Sequence, residues 1–429
     1  MKRFSNYLCA AMAMLLALGS ASCRNGADEV MNPTTIEISS PSTQFEVFWQ
    51  LIDRGYVFFA DDEKDWDAVY DELHPQFVAL DKRDSIPTSE LIELYKKAVT
   101  GMLDHHMTIT IKNEWAPPSE VQEKKNVFMV GPAGLELRQR DYYRDRPSDV
   151  QLATHKEDMY DAMEANGMLT RRKSGMISVN NMYITSGRLD GNIAYLHFSI
   201  FELQKMKNDT SKYVKFFINS RNEQVDMKSK PIEAFNQYMA DIKSADLKGI
   251  VIDLRHNMGG RVDDLQYIAC PLTAEKYTFG YTRHKQGLGR LDLSEWSPMY
   301  INPMPEVAAR KDVPVVVLIN MYSCSMGEMT PLALRSRPGG CCVIGERSFG
   351  GMGPLDDDAP LTHYGAPTKS ADGSVDCYTS TYELVDANFN LLEGKGLTPD
   401  IWVTPDDAKA AAGHDPQIEA AINYINGKQ

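Results

Sequence analysis

The sequence is short of basic charge. Lys and Arg number 45 against 59 Asp and Glu, for a formal net charge of −14. Such a field repels phosphate backbones, which sets nucleic-acid partners aside. Cysteine is sparse: seven residues, at 9, 23, 270, 324, 341, 342 and 377, too few and too scattered for a disulfide scaffold, though one bridge among the last five stays open. Neither a CxxC pair nor an HExxH motif is present, so neither a metal nor another cofactor is expected. No unit repeats with a period of 20 to 50 residues, which excludes solenoids and propellers. What is present is ordinary globular material, 429 residues of which 43% are hydrophobic and 9% aromatic. That is enough apolar surface to offset chain entropy, and enough length for two or three domains, or for one with a large appendage.

The first residues read as a targeting segment. Lys2 and Arg3 precede the apolar run Leu8–Leu18, whose 11 residues fall short of the roughly 20 that a spanning helix needs. Gly19-Ser20-Ala21-Ser22-Cys23 follows, small residues before a cysteine. Residues 1–22 are expected to be a signal peptide of the bacterial lipoprotein type, with Cys23 as the lipidated first residue; a plain secretory signal cut near Ala21 is the alternative. Processing before Cys23 removes Lys2 and Arg3 and leaves a formal charge of −16. Residues 23–42 are polar and read as a tether. The expected setting is extracytoplasmic, in the periplasm or at the cell surface, on a bacterial membrane.

Residues 43–110 carry helical stripes: Phe45, Phe48, Trp49 and Ile52; then Trp66, Val69, Tyr70, Leu73 and Phe77; then Leu91, Leu94, Tyr95, Ala98 and Met102. A packed helical subdomain is the simplest reading of these aromatics. Residues 111–190 are charge-rich and give no clear assignment. From 191 to 429 the pattern changes. Ile193–Ile200, Gly249–Leu254, Val313–Ile319 and Cys341–Gly345 are strand-like, and Pro231–Ile242 is helical with proline in its first turn. Apolar strands alternating with helices predict an α/β core with a sheet covered on both faces, and with ligand sites at the strand C-terminal ends.

Three segments stand out, each at the end of a predicted element. Leu254-Arg255-His256-Asn257-Met258-Gly259-Gly260 follows one strand, and its paired glycines permit close backbone approach, or serve a tight turn. Asn320 to Glu328 (NMYSCSMGE) follows another and opens a helix; a serine there is either a helix cap or a nucleophile with an adjacent N–H donor. Asp104-His105-His106-Met107 ends the third helix, and its histidines are either exposed or a general base.

Taken in order, these segments resemble the tail-specific (C-terminal processing) serine proteases, in their tricorn-core-like branch. The resemblance rests on DLRHNMGG at 253–260, NMYSCSMGE at 320–328 and EGKGLTPD at 393–400. It implies a ClpP/crotonase-like β-α core with an N-terminal helical subdomain. The stretch from Phe48 to Leu73 is similar to lipoprotein members from Bacteroidetes-type bacteria, and no PDZ module is evident between His106 and residue 190. By the same resemblance Ser325 is the nucleophile, and Met326 with Gly259 or Gly260 holds the oxyanion. Gly351 stands where one subfamily carries its lysine base, so the base falls to His106, in a segment that departs from the family pattern at His105 and Met107. Glu393 is the orienting acid, with Glu383 second.

The function so implied is a serine endopeptidase acting on peptides or unfolded protein segments through an acyl-enzyme. Two alternatives stand beside it. One is a non-proteolytic binder of apolar ligands or peptides on the same scaffold, as in the family's retinoid-binding relatives. The other is a lysine base, Lys369 or Lys395. His197, mid-strand, reads as a core residue; His256 lines the glycine turn; His363 lies in a polar loop.

Overall fold

The computed structural model describes residues 36–131, 146–304, 313–355, 365 and 368–427. The signal segment, Cys23, His363 and most of the charged stretch from Arg138 to Asp149 lie outside the described residues. Two compact units are present. One combines the described residues before 132 with Arg283–Trp296 and Gly353–Glu383; the other combines the described parts of 146–282, 297–352 and 384–427.

The first unit begins with helix Pro41–Gly55. Ser40 caps it, its Oγ accepting from Thr43 N–H while Thr43 Oγ1 accepts from Ser40 N–H, and Pro41 supplies the fixed φ of a first turn. Helices Trp66–Leu80 and Thr88–Val99 follow. The expected stripes meet in one core: Phe45 stacks on Phe77 with centroids 4.4 Å apart, and Phe48 meets Tyr95 edge-on at 5.1 Å. A four-stranded antiparallel sheet completes the unit, in the order Thr368–Lys369, Val375–Tyr378, Thr108–Lys112, Val127–Val130.

The second unit is built on an eight-stranded mixed sheet. Ile401–Trp402, Cys342–Gly345, Val315–Ile319, Gly249–Asp253 and Ile193–Phe198 run parallel in that order. Tyr183–Leu189, Leu169–Ile177 and Tyr213–Val214 continue it antiparallel. Apolar clusters cover both faces, one around Leu196, Ile252, Val317 and Met329, the other around Tyr160, Val251, Val316 and Ile418. The central parallel strands are buried throughout, which is why they read as continuous apolar runs.

The region 111–190 that the sequence left unassigned contains strands and a long helix, Asp149–Ala165. Its buried face carries Lys156 and Glu157 among Leu152, Met159 and Tyr160, so no clean apolar stripe marks it. The five described cysteines, Cys270, Cys324, Cys341, Cys342 and Cys377, are all free thiols, and no bridge forms among them.

Candidate active site

In the second unit, strands Gly249–Asp253 and Val315–Ile319 are parallel neighbours, with Leu318 opposite Asp253. Their C-terminal ends therefore release the glycine turn and the serine turn side by side. Polar side chains bind the two together. Ser323 Oγ donates to Leu254 C=O (2.8 Å) and accepts from Asn320 N–H (3.0 Å). Cys324 N–H donates to Asn257 C=O (2.9 Å), and Asn257 Oδ1 accepts from Gly259 N–H (2.9 Å). Asn320 Oδ1 accepts from the backbone N–H groups of His256 (3.0 Å) and Tyr322 (3.1 Å). That fixes its amide, so Asn320 Nδ2 donates to His256 Nε2 (3.0 Å) and the imidazole carries its proton on Nδ1. His256 also stacks on Tyr322, ring centroids 5.0 Å apart.

Ser325 stands at the strand-to-helix junction and heads helix Met326–Arg335. Its φ of 54° with ψ of −119° is a region that glycine tolerates and L-residues avoid, at a cost of about 1–3 kcal/mol. Such strain persists only where the surroundings enforce it, and here two bonds do: Ser325 N–H donates to Gly351 C=O (2.8 Å) and to Glu328 Oε2 (3.2 Å). The Gly259 backbone presses on the same serine. A Cβ at Gly259 would lie 2.4 Å from Ser325 Cβ and 2.9 Å from Ser325 Oγ, so no side chain fits there. Gly259 N–H is held by Asn257, whereas the N–H groups of Gly260 and Met326 have no acceptor among the described residues.

Glu328 is fully buried and takes four donors: Ser348 Oγ (2.5 Å), Gly350 N–H (2.8 Å), Gly351 N–H (2.9 Å) and Ser325 N–H. Burial pushes its pKa up to about 7, against the pull of these donors. The folded state therefore binds this proton more tightly than the unfolded chain does. Its contribution favours folding at low pH and fades as pH rises from about 4.5 toward about 7, by at most about 3 kcal/mol. In Glu328→Gln the amide nitrogen faces N–H groups and leaves at least one of them without an acceptor. The expected result is a folded protein with peptidase kcat/KM reduced by about 10-fold or more and without this pH slope in urea unfolding at pH 5 and 8. A variant with unchanged kcat/KM and slope refutes the role given to Glu328.

The same loop carries Met352, whose N–H donates to buried Glu393 Oε2 (2.6 Å), and the closing segment packs on it, with Gly394 N–H to Gly350 C=O (2.8 Å) and Leu397 N–H to Ser348 Oγ (2.6 Å).

His106 lies in the first unit, just before strand Thr108–Lys112. Asp104, fully buried, shapes its turn: Oδ1 accepts from His106 N–H (2.8 Å) and from Ser380 Oγ (3.0 Å), and Oδ2 from Ser380 N–H (2.6 Å). Burial pushes Asp104 up to about 6, and burial followed by the neighbouring His105 brings His106 down to about 4. His106 Nδ1 is enclosed and has no hydrogen-bond partner among the described residues.

Residues 192–403 match the family model Peptidase family S41. Over that span the chain belongs to peptidase family S41. The chain also shares its fold with a candidate peptidase from Parabacteroides merdae, at 23% identity and a TM-score of 0.61 over 91% of this chain and 98% of that one. Mature CPAF gives 13% identity and a TM-score of 0.53 over 90% of this chain and 99% of its own. No curated protein matches. The protein is thus a serine peptidase, with peptides or proteins as substrates, on the mixed α/β fold with a helical N-terminal part that the sequence led us to expect.

Within the S41 protein, Ser325, Met326, Gly259, Gly260 and Glu393 share the second unit, and His106 belongs to the first. Glu383, also in the first unit, is occupied: its carboxylate accepts from Arg283 Nε (2.7 Å). Lys369 and Lys395 are exposed, outside the desolvated setting a lysine base needs. His197 is a buried sheet residue, its Nδ1 2.9 Å from Asp253 C=O. The sequence singles out neither Glu328 nor Asp104 for a role, although each stands inside one of the three segments; for Glu328 the neighbouring Ser325, Gly327 and Thr330 were the available signal, and Asp104 carried none beyond its place beside the two histidines.

Proposed function

We propose that this S41 peptidase hydrolyses peptide bonds through an acyl-enzyme on Ser325, with His106 as general base. His106 accepts the Ser325 Oγ proton as oxygen attacks the scissile carbonyl carbon. The tetrahedral oxyanion takes N–H bonds from Met326 and Gly260; one such donor is worth about 100- to 1000-fold in rate. Protonated His106 then returns its proton to the leaving amine, and water, deprotonated by the same imidazole, releases the acyl group. Glu393 is assigned the orienting acid. The observation that carries this reading is Ser325 itself: a strained non-glycine residue at a strand-to-helix junction, pressed by a glycine backbone, inside an S41 domain.

A fluorophosphonate probe followed by peptide mapping tests it. The expected adduct is on Ser325. Labelling of another residue, or an unlabelled protein that retains an apolar ligand, would replace the enzyme reading by the binding one. We further place the enzyme outside the cytoplasm, anchored to a bacterial membrane through lipid at Cys23. The small residues before that cysteine support the placement, and incorporation of a fatty-acid analogue that is lost in Cys23→Ala is the result expected.

A further inference from the structure

The second unit holds a cavity of about 280 Å³ that the peptidase reading does not use. Arg255 and His256 of the glycine turn and Asn320 of the serine turn line it; Ser325, Met326, Gly259 and Gly260 do not. The remaining wall comes from helix Asp149–Ala165, through Leu152, Lys156 and Met159, and from the segment between Pro405 and Gln417.

The buried polar groups of this cavity have more donors than acceptors. Asp253 accepts from Arg255 Nε (2.8 Å), Arg255 Nη2 (2.6 Å), Tyr195 Oη (2.8 Å) and Lys156 Nζ (3.1 Å). Asp415 accepts from Arg255 Nη1 (2.8 Å) and from the backbone N–H groups of Gln417 and Ile418. Asp253 is saturated, and Asp415 has three of about four acceptor sites filled. Arg255 has four of its five N–H donors engaged, since its Nη1 also reaches Gln417 Oε1 (2.8 Å). Lys156 differs. Only 9% of it is accessible, its ammonium has three donors, and Asp253 Oδ2 is its one acceptor among the described residues. The Nδ1–H of His256 likewise has no acceptor among the described residues.

A buried ammonium with unused donors calls for an acceptor ligand. The four buried charges cancel; at the rim Asp158 pairs with Arg221, Asp406 pairs with Lys409 and Asp407 stands exposed, so the site takes no more than one added negative charge, at the Lys156 ammonium, and not a phosphate dianion. Leu152, Met159 and Ala410 supply apolar wall beside it. The volume lies at the small end of the range for ligand pockets. We propose that this cavity is a second binding site of the chain, for a small carboxylate with an apolar body of about amino-acid size, its carboxylate held by the Lys156 ammonium.

Calorimetric titration of full-length Ser325→Ala tests this without depending on catalysis. N-acetyl-leucine is expected to bind at one site with Kd of about 1 mM or tighter. Leucinamide, which lacks the carboxylate, and inorganic phosphate are expected to bind at least about 10-fold more weakly. Lys156→Gln should lose a similar factor. Because that variant disturbs the ion network, Ala410→Trp is the second arm: it fills the cavity from a short, solvent-facing helix and should abolish binding with circular dichroism and Tm unchanged. An acetylated tripeptide ending in leucine separates the sources, equal affinity identifying a peptide end and exclusion a free small acid. No heat with N-acetyl-leucine, equal affinity for leucinamide, tighter binding of phosphate, or binding retained in folded Ala410→Trp each overturns the proposal.

Discussion

Ser325→Ala is expected to hydrolyse peptides at least about 10⁴-fold more slowly than the parent enzyme while folding normally. The loss is large because the hydroxyl is the atom that forms the acyl bond, and the oxyanion donors and binding contacts that survive supply only a residual rate. The stability half of the prediction is as sharp. Ser325 sits at φ 54°, ψ −119°, enforced by Gly351 and Glu328, and alanine inherits that strain unrelieved. Glycine relieves it. Ser325→Gly should therefore be equally inactive yet about 1 kcal/mol more stable than Ser325→Ala, after allowing for the extra entropy glycine loses on folding. Rate assays with a fluorogenic peptide and paired urea melts measure both. Comparable turnover in Ser325→Ala removes Ser325 from the mechanism. Equal stability of the two variants shows that the backbone there stores no strain, and removes the structural argument for an enforced nucleophile.

The sequence made the central sheet legible because its parallel strands are buried on both faces and admit only apolar residues, as in Gly249–Asp253 and Val315–Ile319. It made the two turns legible only as an ordered set, because a glycine turn and a serine at a helix start each have a common structural use when taken alone. It hid helix Asp149–Ala165 for the converse reason. That helix buries Lys156 against Asp253, Glu157 against Arg172, and Tyr160 against Tyr195, so charged residues interrupt the apolar stripe of its inward face. Strand Leu169–Ile177 is obscured in the same way by Arg172, which is buried yet reads as exposed charge. Pairing of such charges is settled by residues far away in the chain, which local periodicity does not register. The return of Arg283–Trp296 and Gly353–Glu383 to the first unit is likewise invisible to pattern reading: Ser380 is found only through the two bonds it gives Asp104. Glu328 shows a subtler gap. As the last residue of a quoted motif it read as part of a signature, and only its four donors reveal that it holds the nucleophile's backbone in place.

His106→Ala should lower kcat/KM by about 10²- to 10⁴-fold, the range for loss of a positioned general base. The pH profile makes this more than a deletion. A general base must be unprotonated to act, and burial, with His105 beside it, brings His106 down to about 4, below the ordinary histidine value of about 6.5. The enzyme should therefore keep its acid limb low: kcat/KM rises through about pH 4 and is level across neutrality, where a solvated histidine would still be titrating. Asp104 and Glu328, raised to about 6 and about 7, titrate between these points, and each is a partner of backbone N–H groups and not a proton acceptor for Ser325. Their ionisation is expected to tilt the plateau without setting the limb. Rate measurements from pH 3.5 to pH 9 on parent and His106→Ala decide the case. In the variant the low limb should vanish together with the rate, and added imidazole should restore part of the rate, with a limb near the pKa of free imidazole. An undiminished rate in His106→Ala, or a parent limb above pH 7, would transfer the proton to a lysine; Lys369 and Lys395 would then have to leave the exposed positions they occupy to become the base.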